Sequence, residues 1–329
     1  MSGDPQSALA VLASHPRYVD ILKDVLPHLP EARILAVSER LEGLAEAGGL
    51  AAYLTDQINV EDYAGLIVCS GWEPGELNWG AKFRNVGKPV LVIEHGTLLV
   101  YNGEARYRNW LGCGSVSTCW GVQGKRIFEQ YGCPGSQLQI TGAPELDRLY
   151  GKTPKRDGVP SAIFAGATWP ISWREKSISS WDVLRKNHVG FELYYKLHPV
   201  EKESPERFTL ETFGADGILH GNIADILPNF NVLITTCSSV MIHASAIGMP
   251  VVYLRNDLDG FNQEVEQFMH ICSHPTEITS AVEKAMEEGV KDSNAAALWV
   301  EKTAYRFDGQ RGKAVADFAQ KVTIQGSSP

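Results

Sequence analysis

Several short stretches of the sequence put polar or titratable side chains directly after apolar runs that read as strands. Val232–Thr235 is followed by Thr236-Cys237-Ser238-Ser239 and then by a helical pattern that closes at Gly248. Free N–H groups at a helix start, the helix dipole and two hydroxyls would together bind an anion without any basic residue, although a serine at such a place more often only caps the helix. Tyr194–Leu197 runs into His198-Pro199. The proline disfavours the α conformation at His198, so the imidazole should leave the strand end. A protonated imidazole donates from both nitrogens, and its ordinary pKa near 6.5 rises beside an anion. His198 and Pro199 are therefore expected to converge with Thr236, Ser238 and Ser239 on a phosphate.

Other strand ends add to this set. Glu94-His95-Gly96-Thr97 follows Val90–Ile93, with a glycine that lets backbone approach closely. His95 is the candidate general base, and Glu94 suits that task less, because adjacent residues on an extended strand face opposite ways. Ala165-Gly166-Ala167-Thr168-Trp169 offers small residues, the Thr168 hydroxyl and an indole. Glu145 and Asp147, in Gly142–Asp147, are assigned to the edge of a cleft. Asp257-Leu258-Asp259 could hold Mg²⁺ or Mn²⁺, but an acidic, solvated loop is the preferred reading, so neither a metal nor a cofactor is expected. Trp110, Trp120 and Trp173 could stack on a sugar or a base, yet most tryptophans are large core or rim residues.

The elements that must position these residues follow one pattern. Ala8–Leu12, Tyr18–Leu29, Arg33–Val37 and Arg40–Ala47 alternate strand and helix, and further apolar runs occur at Ala64–Cys69, Pro89–Ile93, Val116–Val122 and Leu138–Thr141. The unbroken run Leu66-Ile67-Val68 fits a strand covered on both faces, so a parallel, doubly wound α/β sheet is expected. GKTPKRDGVP, between Tyr150 and Ser161, reads as an exposed linker. The same pattern restarts beyond it, with strands at Ala162–Ala165, Glu192–Leu197, Val232–Thr235 and Val251–Leu254. Helices are expected near Trp173–Lys186, Ile223–Leu227, Val240–Ile247 and Ile278–Glu288. Two α/β domains are expected, residues 1–152 and 153–329, facing a cleft, with the last helix packing back on the first. In such sheets ligands sit at the carboxyl ends of strands.

Composition bounds the partners. With 30 basic and 39 acidic side chains the net charge is -9, which disfavours nucleic acid and anionic lipid in general. No apolar run reaches the length of a membrane span, and the acidic start lacks the basic region of a signal peptide. A cytoplasmic protein with at most peripheral membrane contact is expected, its oligomeric state left open. The six cysteines form no CxxC pair and, Cys237 apart, read as small buried apolar groups.

Taken together, His95-Gly96-Thr97, Ala167-Thr168-Trp169, His198-Pro199, the block from Leu233 to Ser239 with Gly248-Met249-Pro250-Val251-Val252-Tyr253, and Asp257-Leu258-Asp259 resemble the CDP-glycerol glycerophosphotransferase family. That family belongs with the GT-B glycosyltransferases of capsule and wall polymer synthesis. The resemblance spans about half of the chain and is densest from Ala162 to Asp259. It implies a GT-B fold and an inverting transfer of a glycosyl or polyol-phosphate group from a nucleotide-activated donor to a hydroxyl acceptor, with the donor held by the second domain. Thr236-Cys237 stands where the family has Asp-Tyr, so that acidic residue is absent. Bacterial sialyl and Kdo transferases share a His-Pro element and a serine-rich turn, which keeps CMP-linked donors beside CDP-linked ones. A nucleotide-sugar epimerase of the same fold, using Glu94, Glu145 or Asp147, is the alternative enzyme. A non-catalytic nucleotide-sugar-binding protein is the third reading.

Overall fold

The computed structural model describes residues 8–47, 52–55, 58–71, 73–96, 114–155, 157–166, 171–198, 216–255 and 262–326. The described residues divide into two compact units, the second formed by Arg148–Glu301 and the first by those up to Asp147 and from Lys302 onward, so that the helix Ser293–Ala304 begins in the second unit and ends in the first.

The first unit is built from β1 (Leu9–Ala13), α1 (Pro16–Val25), β2 (Arg33–Ala36), α2 (Glu39–Ala47), β3 (Ala52–Leu54), β4 (Gly65–Val68), α3 (Pro74–Asn85), β5 (Val90–Val92), β6 (Val116–Cys119), α4 (Val122–Gln130) and β7 (Leu138–Ile140). Its sheet has the order β3-β2-β1-β4-β5-β6-β7, and every pairing is parallel. β1 and β4 are buried along their whole length, as strands covered on both faces must be. Residues of α1, among them Tyr18, Leu22 and Val25, close one face.

The second unit contains β8 (Ser161–Ala165), α5 (Ile171–Asn187), β9 (Glu192–Lys196), β10 (Gly217–Leu219), α6 (Ile223–Ile226), β11 (Val232–Thr235), α7 (Val240–Ala246), β12 (Val251–Leu254), α8 (Asn262–Val265), β13 (His270–Cys272), α9 (Ile278–Glu288) and α10 (Ser293–Ala304). The sheet order is β10-β9-β8-β11-β12-β13, again wholly parallel. Trp181 of α5 packs edge-on to Phe164 and Tyr195 at 5.2 and 5.0 Å between ring centroids, which ties that helix to β8 and β9.

The last helix, α11 (Arg311–Gly326), belongs to the first unit, where Val315, Ala316 and Ala319 join the core beside α1. Its start is held by an ion pair. Arg311 is 1% exposed, and its Nη1 donates to Asp147 Oδ1 at 3.0 Å while the Gly312 N–H donates to Asp147 Oδ2 at 2.8 Å. The backbone approaches closely on both sides. A Cβ on Gly312 would lie 1.9 Å from Asp24 O, and one on Gly142, whose φ is +83°, would meet Arg311 Cγ at 2.6 Å. Only glycine fits either position.

Candidate functional site

Both sheets reverse their winding direction once, and a parallel sheet opens a crevice where it does so. In the first unit the reversal lies between β1 and β4. Ser14 and His15 follow β1, Cys69-Ser70-Gly71 follow β4, and Glu94-His95-Gly96 follow the adjacent β5.

His95 is half-buried at this edge. Its Nδ1 lies 2.7 Å from the Cys69 carbonyl oxygen, and its ring meets Tyr18 edge-on at 5.2 Å. A carbonyl only accepts, so Nδ1 carries the proton and the neutral ring has its lone pair on Nε2. The turn that presents Cys69 is organised by Glu76 of α3, a fully buried carboxylate. Oε1 accepts from Ser14 Oγ at 2.9 Å and from the Cys69 N–H at 3.1 Å. Oε2 accepts from Ser70 Oγ and from the Gly71 N–H, the latter at 2.7 Å. Burial pushes this carboxyl above its ordinary range, and the four donors only partly oppose the rise.

Two of the carboxylates singled out in the sequence, Glu94 and Asp147, are committed elsewhere. Glu94 is 1% exposed, with its carboxylate turned toward β6 and α4, where Oε2 accepts from the Trp120 N–H. Burial pushes it up to about 8, and the Trp120 bond only partly opposes the rise. It is a neutral acid at pH 7. Its backbone is fixed as well: the Glu94 N–H donates to Thr118 Oγ1 at 3.1 Å, and Trp120 Nε1 donates to Glu94 O at 2.8 Å. Trp120 is thus a buried partner of Glu94. Asp147 is taken by Arg311 and α11, as above, while Glu145 is half-buried on the 3₁₀ turn Pro144–Leu149. Gly96 is described, but Thr97 lies outside the described residues, as does Trp110.

In the second unit the reversal lies between β8 and β11, with β9 beside β8. The three neighbouring carboxyl ends carry Gly166 after β8, His198 after β9 and Thr236–Ser239 after β11. Thr235 Oγ1 donates to Ala165 O at 2.7 Å, joining the ends of β11 and β8. Thr236 is 1% exposed, and its hydroxyl has no hydrogen-bond partner among the described residues. Ser239 stands at the N-cap of α7 without a side-chain cap bond, and the nearest local contact of Ser238 Oγ is the Val240 N–H at a long 3.4 Å. His198, Ser238 and Ser239 are half-buried. Thr168, Trp169, Pro199, Asp257 and Asp259 lie outside the described residues.

Among the described residues no group of three or more His, Cys, Asp and Glu side chains is placed to hold a metal ion, and no helix is long and apolar enough to cross a membrane. Cys69, Cys119, Cys133 and Cys272 are buried, and Cys237 is half-buried.

No family model matches the sequence, and neither does any curated protein. Solved structures do share the fold. The chain is similar to a putative UDP-N-acetylglucosamine 2-epimerase from Listeria monocytogenes, with a TM-score of 0.65 and 12% identity over 100% of this chain and 99% of that one. It is similar to MnaA of S. aureus solved with UDP, with a TM-score of 0.66 and 12% identity over 96% of each chain. It is also similar to the wall teichoic acid polymerase TagF with CDPG, with a TM-score of 0.65 and 12% identity over 98% of this chain and 90% of that one. The fold is therefore GT-B-like, with two doubly wound Rossmann-like units. Epimerases and a polymerase both occur on it, so residues, not fold, must decide the reaction.

Proposed function

We propose that this chain is an inverting, metal-independent transferase. It moves a glycosyl or polyol-phosphate group from a CDP- or CMP-linked donor to a hydroxyl acceptor in surface polysaccharide or glycoconjugate synthesis. The second unit binds the donor, and the first presents the acceptor and the base. The observation that carries this reading is the setting of His95. With Nδ1–H anchored on Cys69 O at 2.7 Å, the neutral ring is held in the tautomer whose lone pair is on Nε2, at the crevice edge of its sheet. That is the state a general base needs to take a proton from a hydroxyl.

The donor half rests on the strand ends after β9 and β11, which flank β8 in the second unit. His198, the unspent Thr236 hydroxyl and Ser238-Ser239 are donors suited to the phosphate of a leaving nucleotide, whose charge grows as the bond to the transferred group breaks. The nucleotide class is supported by similar structures solved with UDP or CDPG. The epimerase alternative requires a carboxylate free to move a proton at the sugar. Of its three candidates Glu94 is buried and Asp147 is bound to Arg311, which leaves the half-buried Glu145 alone to carry that reading and favours the transferase.

The test is an assay of CMP release from CDP-glycerol and from CMP-linked sugars, with and without a hydroxyl acceptor, in excess EDTA. Acceptor-dependent release that survives EDTA, and that falls by roughly two orders of magnitude or more in His95→Ala, is expected. Conversion of UDP-N-acetylglucosamine to its 2-epimer without any acceptor would replace this reading with the epimerase.

A further inference from the structure

Glu76 lies 19 residues before His95 on a different element, and the hydrogen bonds connect the two through one peptide. The carbonyl that holds His95 belongs to the peptide joining Cys69 to Ser70. The peptide before it ends in the Cys69 N–H, which donates to Glu76 Oε1, and the peptide after it ends in the Gly71 N–H, which donates to Glu76 Oε2. The Cys69 carbonyl is thus flanked on both sides by peptides pinned to one carboxylate. Ser14, 62 residues away at the end of β1, donates to the same Oε1, and Ser70 donates to Oε2. Two donors per oxygen fill the acceptor capacity of an ionised carboxylate.

We infer that Glu76 is the positioning residue of the base: it fixes the Cys69–Gly71 turn so that the Cys69 carbonyl holds His95 in its Nδ1–H tautomer, which places the lone pair of the neutral ring on Nε2. The inference rests on the reading of His95 as the base. A carboxylate suits this position because it presents acceptors only. Glutamine in its place would set its NH₂ against either the Cys69 or the Gly71 N–H, and a backbone donor, unlike a serine hydroxyl, cannot reverse. One flanking peptide must then rotate, and the Cys69 carbonyl rotates with it. A role confined to stability would lower the melting temperature of the variant without altering the imidazole.

The measurement is the long-range ¹H–¹⁵N correlation spectrum of the full ¹⁵N-labelled chain, with the His95 ring signals identified by their loss in His95→Ala. Wild type is expected to show the Nδ1–H tautomer above the titration midpoint of the ring. Glu76→Gln is expected to show a mixture of tautomers and a displaced midpoint, with kcat down about tenfold or more and KM within about twofold, the pattern of an interaction made in the transition state. If Glu76→Gln does not fold, as judged by circular dichroism, Glu76→Asp is read by the same criteria, since it keeps the charge but withdraws it by one methylene. A folded variant with the wild-type tautomer and midpoint overturns the inference. If instead the tautomer changes while His95→Ala retains kcat, the link from Glu76 to His95 stands and the reading of His95 as the base fails.

Discussion

Replacing Glu94 with glutamine should change how the stability of this protein depends on pH, and the structure sets both sign and size. In the fold the carboxyl is 1% exposed, with a single described donor to its oxygens, and titrates at about 8 instead of the ordinary 4.5. The folded chain therefore binds one more proton than the unfolded chain between those values, and stability must fall as pH rises through that window. Each unit corresponds to about 1.4 kcal/mol, so the full displacement amounts to roughly 5 kcal/mol, lost between about pH 4.5 and 8 and level above it. Such a loss is a large part of the stability of an ordinary domain, about 5–15 kcal/mol. Glutamine mimics the neutral acid, because its carbonyl can accept from the Trp120 N–H while its NH₂ takes the place of the O–H. Thermal melts from pH 5 to 9 should show Glu94→Gln close to wild type at pH 5 and progressively more stable than wild type toward pH 8. Parallel curves for the two proteins would refute the reasoning, since they would mean that Glu94 is charged in the fold or reaches water.

The proposed donor site predicts that His198→Ala, and the pair Ser238→Ala with Ser239→Ala, weaken binding of CMP or CDP. Each lost charge-assisted bond is worth on the order of 1.5–3 kcal/mol, or about ten- to a hundredfold in calorimetric Kd, and unchanged affinity in both variants would dismiss the assignment. Asp147→Ala strands a guanidinium that is 1% exposed beside only the more distant Asp308, at 3.4 Å. Denaturant unfolding should register a loss of about 3–5 kcal/mol, whereas a loss under about 0.5 kcal/mol would mean that the pair does not anchor α11.

The buried strands were legible in the sequence. Val232–Thr235 and Val251–Leu254 are observed with the expected bounds, and most others shift by a residue or so, because a strand covered on both faces must be continuously apolar. The short outer strands β3, β10 and β13 were not legible. Tyr53 on β3 and Ile218 on β10 are exposed, and β13 has only three residues, the first of them a histidine, so none of the three is a run of continuously buried apolar residues. α3 also escaped notice, since two glycines and a proline within PGELNWGAKFRN mask its helical pattern. Val116–Val122 reads as one apolar run but breaks at Cys119, and Val122 opens α4. Burial alone does not distinguish the last turn of a strand from the first turn of the helix that follows it.

The site divides along the same line. Residues directly after strands could be found from the sequence because parallel winding brings the carboxyl ends of strands to one edge, and alternation along an extended segment separates Glu94 from His95. Glu76 could not be found, since an acidic residue in the first turn of a helix is ordinary there and its partners lie up to 62 residues away. What separates the two buried carboxylates is the number of donors each receives. Burial raises both, but among the described residues Glu76 meets four donors, two of them backbone N–H groups that cannot turn away, whereas Glu94 meets one. The two backbone N–H groups on Glu76 favour the charged form that burial disfavours. One donor leaves the second oxygen of Glu94 to carry the hydrogen, and the neutral acid fills the space beneath α4, where a Cβ on Gly124 would already press on both carboxyl oxygens at 3.3 Å. Burial raises both glutamates of this unit, and they differ in what opposes it: one holds a turn through four described hydrogen bonds, and the other is packed against a single one.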